Sequence, residues 1–366
     1  MKKISILFSI ILFALLCNNC TTDDYVPLRK DIYFPPTAGT SWETTTPSEL
    51  NWDTSKIADL YSFLSTNKTR AFIVLKKGKI VVEKYWGRNI LDNADFNKDD
   101  SWYWASAGKT ITSFLVGKAQ EEGLIALEDK TSKHLGEHWT SLELEDENFI
   151  KIRHQLSMTT GLDYDTGDLD CTDSLCLQYK KRAGTQWYYH NAPYTLLSKI
   201  LENASGKDYN AYTKEKLMDN IGMSGKWIKN GYLNVFWSKP RDAARFGLLI
   251  MNEGRWENTS IMRDNTYFKA MINTSQNINK SYGYLWWLNG KESVIFPGSI
   301  AKISSSISPN APDDLVAAMG KNGQFVDVIP SEDLVVIRMG EAPDNTLAPV
   351  LFHDEMWKKL KAIRNK

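Results

Sequence analysis

The strand-forming signal in this chain lies near its two ends and is sparse between them. Ala71–Lys76 and Lys79–Trp86 are short β-branched runs joined at Lys77-Gly78, which reads as a hairpin. Leu315–Met319, Gln324–Ile329 and Leu334–Met339 form a second set, with Pro330-Ser331-Glu332-Asp333 turning the chain between the last two. Residues 125 to about 290 read instead as helical pattern broken by loops, for example Tyr194–Glu202 and Pro240–Asn252. An amphipathic helix borders each strand set. Asp53–Leu64 repeats Ile57, Leu60, Tyr61 and Leu64, and Pro349–Ile363 repeats Val350, Leu351, Met356, Trp357 and Leu360. The economical packing is an α+β fold. One antiparallel sheet is built from both termini and covered by the terminal helices, and the central helices form a second lobe. A site is expected in the cleft between the lobes.

Lys+Arg and Asp+Glu both number 44, so the formal charge is zero, and nothing points to nucleic acid or to an electrostatic membrane patch. Lys2-Lys3 followed by the uncharged apolar run Ile4–Leu16 reads as an export signal, too short for a comfortable membrane span. Cys17 and Cys20 close that run. This resembles a bacterial lipoprotein signal, with Cys20 favoured as the acylated residue because the polar Thr21-Thr22-Asp23-Asp24 follows it. The expected organisation is a signal over 1–20, a tether over 21–45 and one catalytic domain over 46–366, anchored in the bacterial cell envelope on the periplasmic side or at the outer membrane. In such an oxidising compartment Cys171 and Cys176 can form a local disulfide.

The chemistry starts at Ser106-Ala107-Gly108-Lys109, where the aromatic segment Trp102-Tyr103-Trp104 runs into a helical pattern. A serine hydroxyl needs a base within hydrogen-bond reach to attack a carbonyl. Residues three apart share a helix face, so Lys109 is placed to be that base. At a helix start, Ser106 also gains the positive end of the dipole. Further on, Tyr189-His190-Asn191 offers a hydroxyl that can pass a proton to a leaving group and an amide that can hold an ammonium and a substrate carbonyl.

Ser106-x-x-Lys109 followed by Tyr189-x-Asn191 resembles the class C β-lactamase and esterase family, the S12-type serine hydrolases. Three further segments carry the resemblance. Ile152–Leu162 is similar to the family's I-x-H-L-L-x-M-T-S-G-L, Asp242–Gly247 to its D-x-A-R-F-G helix, and Tyr282–Trp287 to the Y-G-x-x-W-W strand of one branch. The resemblance covers about residues 50 to 360. It implies a β-lactamase/transpeptidase-like fold and an acyl-enzyme on Ser106, with Lys109 as base, Tyr189 as proton relay and Asn191 positioning Lys109. No cofactor or metal is implied, and the partner is a small-molecule or peptide-like substrate.

The K-T-G strand motif of β-lactamases has two registers here. Lys321-Asn322-Gly323 can stand in for it directly. Alternatively, Ala318–Gln324 resembles the A-x-G-x-x-G-Q run of the 6-aminohexanoate-dimer hydrolase branch, and the Gly-x-x-Gly-Gln spacing favours this register. It replaces the lysine by Ala318 and makes the backbone N–H of Lys321 the second oxyanion donor beside that of Ser106. The favoured activity is therefore ester or amide hydrolysis. β-Lactamase or D-Ala-D-Ala carboxypeptidase action comes second, and a catalytically silent envelope scaffold is the reading from another class. His134-Leu135-Gly136-Glu137-His138 spells an inverted zincin motif, but Gly136 breaks the helix that zinc binding needs. His154 and His190 are expected to be structural, and Asp163, Asp165, Asp168, Asp170 and Asp173 to form a solvated loop.

Overall fold

The computed structural model describes residues 31–365, so the expected signal segment and the first part of the tether lie outside the described residues. The strands are β1 (Thr69–Lys76), β2 (Lys79–Tyr85), β3 (Trp102–Tyr103), β4 (Lys226–Asn230), β5 (Leu233–Ser238), β6 (Arg255–Trp256), β7 (Thr259–Ser260), β8 (Trp287–Leu288), β9 (Val316–Gly320), β10 (Gln324–Ile329) and β11 (Leu334–Gly340). Six of them form one antiparallel sheet in the order β2-β1-β11-β10-β9-β8. The join between the two ends of the sequence is the β1–β11 ladder, which pairs Ile73 with Ile337 and Lys76 with Leu334. The expected antiparallel sheet from both termini is thus present, flanked by helices as the fold class requires.

Both faces of the sheet are covered, which is why β10 and β11 are buried along their whole length. On one face Phe325 stacks on Phe352 of the C-terminal helix Val350–Ile363, and Phe352 stacks on Phe63 of the first helix, Ile57–Thr66. On the other face lies the helix Pro240–Met251. A Cβ added at its Gly247 would sit 2.5 Å from Val335 and 3.2 Å from Val326, so the helix lies flat on the sheet only because the residue is glycine. Residues 33–45 cover the outer edge of the β1–β2 hairpin. Tyr33 N–H donates to the Lys77 carbonyl at 3.0 Å and Thr45 N–H to the Ile80 carbonyl at 2.9 Å, which occupies an otherwise open edge.

The middle of the chain is less uniformly helical than its pattern suggests. Residues 226–238 form the β4–β5 hairpin, and β5 pairs with β3 through Trp102 and Ser238 to make a second, three-stranded sheet. This small sheet holds the segment that leads into Ser106: Trp104 N–H donates to the Phe236 carbonyl at 2.8 Å and its indole to Ser238 Oγ at 2.8 Å. The helix Lys109–Glu121 is enclosed from Lys109 to Ala119, because the Asn191–Ser205 helix, the small sheet and Tyr267 surround it. Its polar side chains are mostly satisfied inside, as in Thr112 Oγ1 to Tyr209 Oη at 2.7 Å and Lys118 Nζ to the Ile261 carbonyl at 2.6 Å. No helix among the described residues is long and apolar enough to cross a membrane.

Candidate active site

Ser106 sits in a 3₁₀ turn, Ala105–Gly108, that feeds directly into the helix beginning at Lys109. In a 3₁₀ turn residues i and i+3 eclipse, which stacks Lys109 under the serine. The Lys109 Nζ donates to Ser106 Oγ at 3.0 Å. Ala105, just before the serine, has φ +48°, a left-handed conformation that a residue with a Cβ adopts only at a cost.

Lys109 is enclosed, with Nζ 4.3 Å from the Tyr194 ring centre and 5.1 Å from that of Tyr189. Burial lowers its pKa from 10.5 to about 7, against a smaller upward pull from the Asp170 carboxylate. Tyr189 is buried too. Its phenol is pushed well above its usual value by desolvation, partly offset by a side-chain hydrogen bond with Ser106. The ring is held by Trp287, stacked at 5.9 Å, and by Tyr282, edge-on at 6.2 Å. Lys109 and Tyr189, from two parts of the sequence, therefore converge on the Ser106 hydroxyl. Trp286 is core, whereas Trp287 forms a wall of the cleft.

Asn191 opens the helix Asn191–Ser205 and lines the same cleft. The hydrogen bond of its amide is made elsewhere than expected: Nδ2 donates to Asp170 Oδ1 at 2.7 Å, and among the described residues Oδ1 has no hydrogen-bond partner. The direct grip on Lys109 by Asn191 is thus replaced by contact with a carboxylate that itself acts on Lys109. Asp170 belongs to the acidic loop, which is only partly a solvated surface. Asp163 and Asp165 pair with Lys180, while Asp168 and Asp170 face the cleft. The Cys171–Cys176 disulfide closes the chain immediately after Asp170. No spacing rule reveals the Asp170–Asn191 pairing, because it joins a loop to a helix start.

The opposite wall is the end of β9. A Cβ on Gly320 would lie 2.4 Å from the Trp104 carbonyl, 2.9 Å from Ala107 N and 3.2 Å from Ser106 N, so only glycine lets this strand approach the Ser106 turn. Ala318-Met319-Gly320 lies on the strand, whereas Lys321-Asn322-Gly323 is the turn after it, with Asn322 at φ +66°. Ala318 therefore stands within the strand, and Lys321 opens the turn beyond it. Lys321, Gly320, Met319, Ser106, Tyr189 and Asn191 all line one cleft of about 390 Å³.

The remaining candidates lie elsewhere. The helix carrying His134 ends at Leu135, ahead of Gly136 at φ +90°. His134 Nε2 contacts Asp129, while His138 N–H donates to Glu147. No group of residues suited to a metal ion occurs among the described residues. His154 and His190 are buried, and burial lowers the pKa of each to about 4. A Ser308–His353–Asp327 chain, with contacts of 2.5 and 2.8 Å, copies the geometry of a catalytic triad. All three side chains are sealed in the core, where the chain ties the C-terminal helix to β10.

The beta-lactamase family profile matches residues 69–346, a span that contains the Ser106 turn, Tyr189 and the β9 wall of the cleft. The chain belongs to the beta-lactamase family. It is therefore a member of the β-lactamase and penicillin-binding-protein superfamily of serine hydrolases. The Alkalihalophilus pseudofirmus protein BpOF4_21049 is 23% identical over 296 residues, covering 72% of this chain and 81% of its own. A Bacillus anthracis structure described as a 6-aminohexanoate-dimer hydrolase superposes with a TM-score of 0.67 at 16% identity, covering 90% of this chain and 89% of that one. A penicillin-binding protein homologue from Caulobacter crescentus gives 0.64 at 12% identity, covering 85% and 98%. The α+β architecture is shared with these structures; the chemistry of this member rests on its own side chains.

Proposed function

We propose that this beta-lactamase family member is an exported serine hydrolase that cleaves an ester or amide bond through an acyl-enzyme on Ser106. The observation that carries the reading is Lys109 Nζ 3.0 Å from Ser106 Oγ, with burial bringing the amine to a pKa of about 7. Neutral Lys109 takes the Ser106 proton as Oγ attacks the carbonyl carbon. The backbone N–H groups of Ser106 and Lys321 hold the oxyanion. Tyr189, kept protonated by burial, gives its proton to the leaving alkoxide or amine and takes in return the one held by Lys109; water, losing a proton to Lys109, then attacks the acyl group, and that proton returns to Ser106 Oγ as the product leaves. Asn191 Oδ1 offers an acceptor to a substrate N–H or O–H.

Ala318 at the strand position of the K-T-G lysine removes the cation that would bind the carboxylate of a β-lactam or of D-Ala-D-Ala. Asp168 and Asp170 on the facing loop add negative charge to the same cleft. Both features favour an S12-type esterase or amidase of the 6-aminohexanoate-dimer hydrolase kind over a β-lactamase. Intact-protein mass spectrometry after exposure to p-nitrophenyl acetate, a fluorophosphonate and benzylpenicillin tests this. One adduct on Ser106 from the first two and none from penicillin is expected. Full hydrolytic rates in Ser106→Ala would overturn it. Anchoring through Cys20 and a catalytic domain over 46–366 complete the proposal. Palmitate labelling lost in Cys20→Ser is its check.

A further inference from the structure

Arg338 is fully buried on β11, and its hydrogen bonds go to backbone carbonyls and a threonine hydroxyl rather than to a carboxylate. A guanidinium removed from water is costly unless its donors are satisfied, and here backbone carbonyls and one hydroxyl satisfy them. Nη1 donates to the carbonyls of Asn322, at 2.5 Å, and Gly323, at 2.9 Å. Nη2 donates to the carbonyls of Asn67 and Glu341, both at 2.9 Å, and Nε to Thr69 Oγ1 at 3.2 Å. Burial lowers its pKa from 12.5 to about 9, so the group still carries its charge at neutral pH. Two of its five contacts fall on the turn that follows β9, the turn that begins with Lys321.

The same turn is held from two other directions. Gln324 bridges to β11, its Nε2 donating to the Gly340 carbonyl at 2.6 Å and its Oε1 accepting from Gly340 N–H at 3.0 Å. Asn322 Nδ2 donates to Tyr103 Oη at 2.8 Å, which links the turn to the segment just ahead of Ser106. Gly323, at φ +74°, has no room for a side chain, since a Cβ would stand 2.7 Å from Arg338 Nη1. A tight turn fixed on three sides behind the cleft wall is the arrangement that a preorganised donor requires.

We infer that Arg338 is a positioning residue for the oxyanion hole. It clamps the Lys321–Gly323 turn from behind so that the Lys321 N–H faces the carbonyl oxygen attacked by Ser106, and the Tyr103–Asn322 contact sets the spacing of the two donors. This deepens the proposed acyl-enzyme reading and rests on it. Arg338 touches no substrate; it acts through the turn.

The test compares p-nitrophenyl acetate with its thiono analogue, in which sulfur replaces the carbonyl oxygen and fits an oxyanion hole poorly. The wild type is expected to prefer the oxo ester strongly. Arg338→Lys keeps a charge but loses the fork. It is expected to lower kcat on the oxo ester roughly ten- to a hundredfold with KM within about twofold, and to shrink the oxo/thiono ratio in parallel. Tyr103→Phe keeps the ring packing and breaks one tether, so it is expected to shift the ratio the same way by a smaller factor. It also decides the matter if Arg338→Lys does not fold. A purely structural role would lower both rates together and leave the ratio fixed, which would overturn the inference. A wild type with no oxo preference would overturn the oxyanion assignment itself.

Discussion

The sharpest consequence of the site concerns pH. At its ordinary pKa of 10.5, a lysine at pH 7 is neutral in only about one molecule in 3,000; at about 7 it is neutral in roughly half. Burial between Tyr189 and Tyr194 thus raises the neutral fraction of the amine about a thousandfold. With Lys109 as the base, kcat/KM should rise about tenfold per pH unit on the acid side and level off above about 7. Asp170 favours the protonated amine, so Asp170→Asn should move that limb to lower pH while the replacement amide can still accept from Asn191. Lys109→Arg cannot lose its proton and should cost on the order of 10²–10⁴ in rate and abolish the limb. Stopped-time hydrolysis of a nitrophenyl ester, read at the isosbestic wavelength of nitrophenol, measures this. A limb near 10, or a flat profile that Lys109→Arg leaves flat, would refute the assignment of Lys109 as base.

Tyr189→Phe keeps the stacking on Trp287 and should lower kcat by roughly 10²-fold or more with KM nearly unchanged, seen in steady-state kinetics. Gly320→Ala forces β9 away from the nucleophile turn and should cost about 10²-fold in kcat for a displacement of about an ångström, read by the rate of fluorophosphonate labelling. His353→Phe leaves the Asp327 carboxylate buried without its imidazole and should cost about 3–5 kcal/mol in denaturant unfolding, while labelling of the folded fraction at Ser106 proceeds as before. Cys171→Ser with Cys176→Ser should cost about 2 kcal/mol by the same measurement, since the loop it closes is short.

Much of this was legible because it rests on local pattern. Strands β10 and β11 and the C-terminal helix are visible as apolar runs of the right period bounded by turns. The Ser106/Lys109 pair follows from a three-residue spacing that any helical turn converts into proximity. The β4–β5 hairpin is different: Asn230-Gly231 between alternating residues is a strong turn signal, yet it was submerged in a region dominated by helical pattern. β3 has only two residues and exists because Ser238 and Trp237 pair with it, so nothing in its own sequence announces it. Asp170 and Arg338 were opaque for a related reason. Asp170 reads in sequence as one acid of a solvated loop, and the strand pattern of Leu334–Met339 gives Arg338 no role. Only the fold shows that each acts on its neighbours' hydrogen bonds.

The β1–β11 ladder also governs how the molecule comes into being. Strand β1 is apolar on both faces, and one of its two neighbours is the last strand in the sequence. Synthesis delivers β1 early and its partner late, so an unpaired, sticky edge persists until nearly the whole polypeptide has emerged. Such remote pairing slows folding and favours misassociation. The cleft wall at Gly320 is delivered just as late, so the cleft beside Ser106 cannot assemble on a nascent chain.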